Sequence, residues 1–209
     1  MMRVTLFDYG AGNLHSLAKA LAAPRREVRI DSDPRSSIDT DILVLPGVGA
    51  FAPAAARLAA ARATMRDAIL GGLPTIGICL GMQLLFEASD EGPGSGLGVF
   101  RGRVTRLSAA RTPQIGWNTI DEPREPLLEE SGLHIAYYAN SFACRAEDPA
   151  DVTAWSTHEI DRFPAAVRRL GCVGVQFHPE KSSTPGVRFL DAFLRAATPR
   201  ASLTFPVSG

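Results

Sequence analysis

The 209-residue sequence predicts an α/β fold: one domain with a central, mostly parallel, twisted sheet flanked by helices and extended by antiparallel strands. Three observations carry this expectation. Short apolar runs alternate with helix-like segments through the first ninety residues, the pattern of parallel strands with helices on both faces. From about residue 99 to residue 175 strand-like segments dominate, which adds an antiparallel extension. A last segment, about residues 186–197, sets Val187, Leu190, Phe193 and Leu194 on one helical face.

Residues 4–7 read as a buried strand, followed by a glycine turn at 10–12 and a helix over about 13–22. A second strand is expected near 28–30 and a third over 42–45, ending at Pro46-Gly47. One long helix rich in Ala and Arg is expected from about 53 to 70, with its proline tolerated in the first turn. Residues 75–78 form a fourth strand that leads into Cys79 and a helix through residue 86. The glycine-rich stretch 91–98 reads as loop. Strand-like segments follow at 104–107, 134–138, 153–157 and 172–177. No repeat or linker divides the chain, so residues 1–197 are expected as one domain and 198–209 as a C-terminal tail.

Composition narrows the function classes. Basic and acidic residues balance at 22 each, which offers no electrostatic footprint for nucleic acid or an anionic membrane. Arg101, Arg103 and Arg106 cluster locally and read as the solvated face of a strand, with a partner-facing patch as the alternative. No stretch approaches the roughly 20 apolar residues of a membrane span, and the N-terminus lacks a secretory pattern. Three cysteines, Cys79, Cys144 and Cys172, are too few and too odd in number for a disulfide framework. A reducing, cytoplasmic setting is therefore expected, and one thiol is a candidate nucleophile.

Cys79 is that candidate. In Gly77-Ile78-Cys79-Leu80-Gly81 a strand runs into a Gly-x-Cys-x-Gly turn and directly into a helix, the cysteine form of a nucleophile elbow. Glycines on either side let strand and helix approach while the turn exposes the thiol. The following helix start favours thiolate, and the Leu80 amide faces a developing oxyanion. Without this setting a buried, inert thiol is the ordinary reading; Cys144 and Cys172 lack it and are expected as packing residues.

A base lies about a hundred residues downstream, in Gln176-Phe177-His178-Pro179-Glu180. Residues two apart on an extended segment share a face, so Glu180 can orient one ring nitrogen of His178 while the other meets a thiol. His15, His134 and His158 have no comparable neighbours, and no metal-ligand spacing is present, so neither a metal nor a cofactor is expected. The turn Pro46-Gly47-Val48-Gly49 could supply a second oxyanion donor through Gly47, Val48 or Gly49; by itself it reads as an ordinary strand-to-helix connection. Asp8-Tyr9-Gly10-Ala11-Gly12-Asn13 lacks the third glycine of a dinucleotide loop, with His15 in its place.

Together these motifs resemble the class I glutamine amidotransferases of the triad type. The general class is carried by residues 77–83 and 176–182. Asp8-Tyr9-Gly10-Ala11-Gly12-Asn13-Leu14, Pro46-Gly47-Val48-Gly49-Ala50-Phe51 and Gln114-Ile115-Gly116-Trp117-Asn118 are similar to the glutaminase subunits of imidazole glycerol phosphate synthase, a histidine-biosynthesis enzyme. The resemblance covers about residues 4–194. It implies Cys79 as nucleophile, His178 as general base and acid, Glu180 as orienter, and an oxyanion hole from Leu80 and the 47–49 turn. It implies that Gln83 and Glu91 hold L-glutamine and that the backbone of Ser141 and Phe142 meets the substrate carboxylate. It also implies a heterodimer with a (β/α)₈ cyclase subunit that receives the ammonia. Where that family has a His-Ser-Tyr type segment this chain has Asn140-Ser141-Phe142, which leaves backbone contacts but no ring nitrogen or hydroxyl. His15 stands where relatives commonly carry Arg. Other ammonia-donating glutaminase subunits, a free γ-glutamyl hydrolase and a non-catalytic binding module are the competing classes.

Overall fold

The structure is a computed structural model and describes residues 1–10, 14–47 and 49–197. The expected tail, Val48 and the Ala11-Gly12-Asn13 part of the first glycine turn lie outside the described residues. The first half runs β1 (Met2–Phe7), α1 (His15–Leu21), β2 (Arg26–Asp31), β3 (Ile42–Leu45), α2 (Phe51–Leu58), α3 (Arg62–Leu70), β4 (Thr75–Ile78) and α4 (Leu80–Leu84). The second half adds β5 (Ala88–Ser89), β6 (Gly102–Arg106), β7 (Gln114–Thr119), α5 (Pro126–Ser131), β8 (Ile135–Asn140) and β9 (Phe142–Ala146). It closes with β10 (Val152–His158), β11 (Asp161–Arg169), β12 (Cys172–Val175) and α6 (Ser183–Ala197).

Seven strands form the main sheet in the order β10-β11-β12-β4-β3-β1-β2. From β12 to β2 all neighbours are parallel, whereas β11 and β10 pair antiparallel at one edge. Period-two alternation explains why helices cover both faces. Val4, Leu6, Ile42, Val44, Ile76 and Ile78 point into one core with Leu17, Leu21, Phe189 and Phe193 of α1 and α6. Phe7, Leu43 and Leu45 point into the other, against Phe51, Leu58, Met65 and Ile69 of α2 and α3. The extension is a β5-β6-β9 sheet, parallel between β5 and β6 and antiparallel between β6 and β9, and an antiparallel β7-β8 pair connected through α5.

Several expected elements are corrected. The long helix is two: a 3₁₀ turn at Ala59–Ala61 separates α2 from α3, with Ala61 at φ −127°, ψ 12°. The buried positions Phe51, Ala55, Leu58, Ala61, Met65 and Ile69 keep helical spacing through the turn, so apolar periodicity carries no mark of the break. In α6 the buried arc centres on Gly186, Phe189, Leu190 and Phe193, which leaves Val187 on its rim and exposed. Strands β7, β9 and β11 were not anticipated as strands. In β11 the interior Pro164 and the charged ends argue against a strand, and an irregular register around Val152–Trp155 of its partner accommodates it. Helix α5 was also missed, although Pro126 at its first turn and the left-handed Gly132 at its end are a legible start and stop. Arg101, Arg103 and Arg106 do face solvent, Arg101 and Arg103 paired with Glu147 and Asp90.

Among the described residues no helix is long and apolar enough to cross a membrane.

Candidate active site

Strands β4 and β12 are parallel neighbours in the middle of the sheet, with Ile78 opposite Val175. Their carboxyl ends therefore release Cys79 and the 176–180 segment side by side, in the place where open α/β sheets bind ligands. Cys79 sits at φ 49°, ψ −104°, a left-handed conformation that a non-glycine residue rarely adopts. Its amide is held by the Val175 carbonyl at 2.7 Å and its carbonyl accepts from Gln83 at 3.1 Å, so both neighbouring elements over-determine the strained turn. The flanking glycines are required by close approach. A Cβ on Gly81 would fall 2.0 Å from the Leu45 carbonyl oxygen, and one on Gly77 would meet the Gly81 backbone at 2.7 Å.

His178 is buried, at 3% side-chain exposure, and its Nδ1 meets Glu180 Oε1 at 2.8 Å. The expectation that the two meet along an extended segment is corrected: Pro179–Lys181 is a single 3₁₀ turn, and the turn brings the carboxylate back to the ring. Ser182 braces the same turn, donating from Oγ to the His178 carbonyl at 2.6 Å and accepting from the Tyr137 amide at 2.9 Å. Burial pulls the His178 pKa down, but hydrogen bonds to Cys79 and Glu180 and the charges of both outweigh it and hold the pKa at about 9. Imidazole and thiol are thus in contact, with the carboxylate behind.

Gly47 presses against both. A Cβ there would lie 2.8 Å from the Ile78 carbonyl oxygen, 2.9 Å from Cys79 Cβ and 3.0 Å from His178 Cε1. Cys79, Leu80, Gln83, Glu91, Ser141 and Phe142 surround one open cavity of about 220 Å³ together with Gly47 and Gly49. Every anticipated site residue except His178, Glu180 and Val48 lines it; His178 and Glu180 stand behind Cys79, and Val48 lies outside the described residues. As the first residue of α4, Leu80 has no carbonyl within the helix for its amide. Glu91 spends Oε2 on the Phe51 amide at 3.0 Å, tying the start of α2 to the cavity. The Ser141 carbonyl accepts from Leu107 at 2.9 Å and the Phe142 carbonyl from Gln83 at 3.1 Å and Asn140 at 3.0 Å. Both carbonyls of that segment are therefore engaged within the fold.

Three cavity neighbours were given no role from the sequence, although Asn140 was marked there as a departure from the family's segment. Ala139 and Asn140 line the same space, and Gln176 donates from Nε2 to Cys79 Sγ at 3.5 Å. The signal for Gln176 was present in the strand register, but only once β12 is known to pair with β4. Cys144 and Cys172 are buried packing residues; burial pushes both thiols up, Cys172 to about 12. Among the described residues no group of His, Cys, Asp and Glu could hold a metal ion.

The geometry can activate a thiol against an electrophilic carbonyl and stabilise the oxyanion that forms. The family model for class-I glutamine amidotransferases matches residues 5–197. The chain is 43% identical over 199 residues to imidazole glycerol phosphate synthase subunit HisH of Symbiobacterium thermophilum, covering 91% of this chain and 92% of that one. It is 40% identical over 204 residues to the HisH subunit of Methanopyrus kandleri, covering 94% and 100%. Among solved structures, a chain in the structure of PurLQS from Thermotoga maritima superposes with a TM-score of 0.71 at 18% identity, over 95% of this chain and 100% of that chain. The last shares the fold. An α/β sheet that closes a Cys-His-Glu cluster at adjacent strand ends, together with these matches, shows that the chain belongs to the class-I glutamine amidotransferase family and, within it, to the HisH subunits of imidazole glycerol phosphate synthase.

Proposed function

We propose that this HisH-family glutamine amidotransferase hydrolyses L-glutamine at Cys79 and hands the ammonia to a (β/α)₈ cyclase subunit docked over the cavity mouth. The observation that carries the reading is the convergence of Cys79, His178 and Glu180 from the ends of two parallel strands onto the cavity lined by Gln83, Glu91, Ser141 and Phe142. The thiolate attacks the side-chain amide carbon, and the Leu80 amide with the 47–49 turn receives the oxyanion. Protonated His178 gives its proton to the departing nitrogen; the C–N bond breaks, ammonia leaves and the acyl group stays on Cys79 as a thioester. His178, now neutral, takes a proton from water, the hydroxide displaces the sulfur, and glutamate is released. Glu180 keeps the ring oriented and offsets its charge.

Support for a docked partner comes from the surface beside the mouth. Ile115 (68% exposed), Trp117 (56%) and Ile135 (52%) share one face of the antiparallel β7-β8 pair with Tyr137 and with Ala139, which lines the cavity. An apolar, aromatic patch of this kind marks an interface. The three cysteines are unpaired, in keeping with a cytoplasmic setting for this reading. The test is reconstitution with the cyclase. Cys79→Ala is expected to abolish glutamine-dependent synthesis and to leave synthesis from added ammonium intact; loss of both would overturn the division of labour.

A further inference from the structure

We propose that Gln176 is a catalytic residue, whose carboxamide N–H holds the Cys79 sulfur as thiolate and carries it through both halves of the reaction. The inference rests on the reading of Cys79 as nucleophile. Gln176 is fully buried, and the register that sets Val175 opposite Ile78 sets the next residue, Gln176, beside Cys79. Its Nε2 lies 3.5 Å from Sγ and its Oε1 lies 3.4 Å from Gln83 Nε2. Gln83 Nε2 in turn donates to the Phe142 carbonyl at 3.1 Å.

The polarity of this chain is dictated at its far end. A backbone carbonyl can only accept, so Gln83 must present its NH₂ group to Phe142. Gln176 must then present its oxygen to Gln83, and its NH₂ group is left facing the sulfur. Reversing either amide would set two oxygens or two NH₂ groups against each other inside a buried site. Sulfur is thereby required as an acceptor, the role a thiolate fills well and a thiol poorly. Apart from the His178 ring nitrogen, a thiol hydrogen would have the Ala139 carbonyl, 4.0 Å away, at the limit of contact.

Four titratable groups also face or lie near this sulfur. His178 follows β12 with Glu180 behind it, Glu91 stands across the cavity from the loop after β5, and Cys144 approaches from β9. His178 favours the same anionic sulfur but must surrender its proton to ammonia during the first half-reaction. The Gln176 N–H does not exchange roles. It stays on the sulfur while the thioester forms, and receives the thiolate again when water displaces it.

The experiment is the pH profile of iodoacetamide alkylation at Cys79, read by peptide mass in the full chain, for wild type, Gln176→Glu and Gln176→Met. The first variant keeps the shape and replaces the donor by oxygen; the second removes both polar groups, so one reads the effect if the other folds poorly. Both profiles are expected to move about one pH unit or more towards alkali, with the rate at pH 7 down about tenfold and the alkaline plateau unchanged. In the cyclase complex kcat should fall by a similar factor with KM within about twofold. Folded variants whose alkylation profiles superpose on wild type would overturn the role of Gln176 alone. A wild-type Cys79 whose labelling glutamine does not slow would instead overturn the nucleophile reading, and this inference with it.

Discussion

The amide of His178 donates to the carbonyl of Tyr137 at 2.8 Å, and the Tyr137 amide donates to Ser182 Oγ, which itself donates to the His178 carbonyl. The His178 imidazole is therefore hung on the strand β8 whose outer face carries the exposed apolar patch. The same strand continues into Ala139 and Asn140 of the cavity. The Tyr137 side chain lies on that face, and its peptide holds His178.

Ser182→Ala follows from this relationship. It leaves the part-buried Tyr137 amide and one acceptor site of the buried His178 carbonyl without their hydroxyl, a loss of about 1–3 kcal/mol. Urea unfolding of the free chain should register that loss. Glutaminase kcat in the complex should fall at least about tenfold as the imidazole drifts, and Ser182→Thr should recover part of both.

Trp117→Ala tests the docking face. An exposed, aromatic residue at the centre of a patch is a binding anchor, so its truncation should weaken cyclase association by about 2 kcal/mol or more, roughly thirtyfold in Kd. The stability of the isolated chain should move by no more than about 0.5 kcal/mol. Titration calorimetry measures the first and thermal unfolding the second; unchanged affinity would remove the patch from the interface.

The raised pKa of His178 has a stability consequence with a definite sign. Held at about 9 against the ordinary 6.5, the ring binds its proton more tightly in the folded state than in the unfolded one. The resulting stabilisation is complete below about pH 6.5 and is lost as pH rises through about 9. Melting temperature should decline across that window, and His178→Gln should flatten the slope. Cys144 and Cys172, whose thiols burial pushes upward, add their own losses only at the alkaline end.

Arg168→Met tests an ion pair remote from the site. Glu125 is fully buried and takes a bidentate contact from Arg168, Nε to Oε2 at 2.9 Å and Nη2 to Oε1 at 2.5 Å. Stripping the guanidinium leaves a buried carboxylate whose other contacts are neutral donors, at a cost of about 3–5 kcal/mol. Denaturant unfolding should show that loss, whereas kcat at low temperature should hold within about twofold. The double variant Glu125→Leu/Arg168→Met should recover much of the stability.

The elements that were legible are those whose signal is local. Ile42–Leu45 and Thr75–Ile78 are four-residue apolar runs bounded by turn residues, and the observed strands have those bounds. The elbow at Cys79 was legible because Gly77 and Gly81 are demanded by contacts within a few residues. What escaped depends on distant partners. Strand β11 holds Pro164 because its neighbours tolerate a missing donor, and the β7-β8 face is apolar outward, so binary patterning points the wrong way there.

The sequence by itself determined the chemical inventory: a thiol on a strained turn, an imidazole with a carboxylate two residues on, and glycines where backbones must touch. Tertiary structure alone decided that β12 lies beside β4, and from that one pairing follow the contact of Cys79 with His178, the approach of Gln176 to the sulfur and the hanging of the imidazole on Tyr137. The physical reason is range. Turn and strand preferences are set by neighbours along the chain, whereas the register between strands a hundred residues apart is set by burying two apolar faces at once.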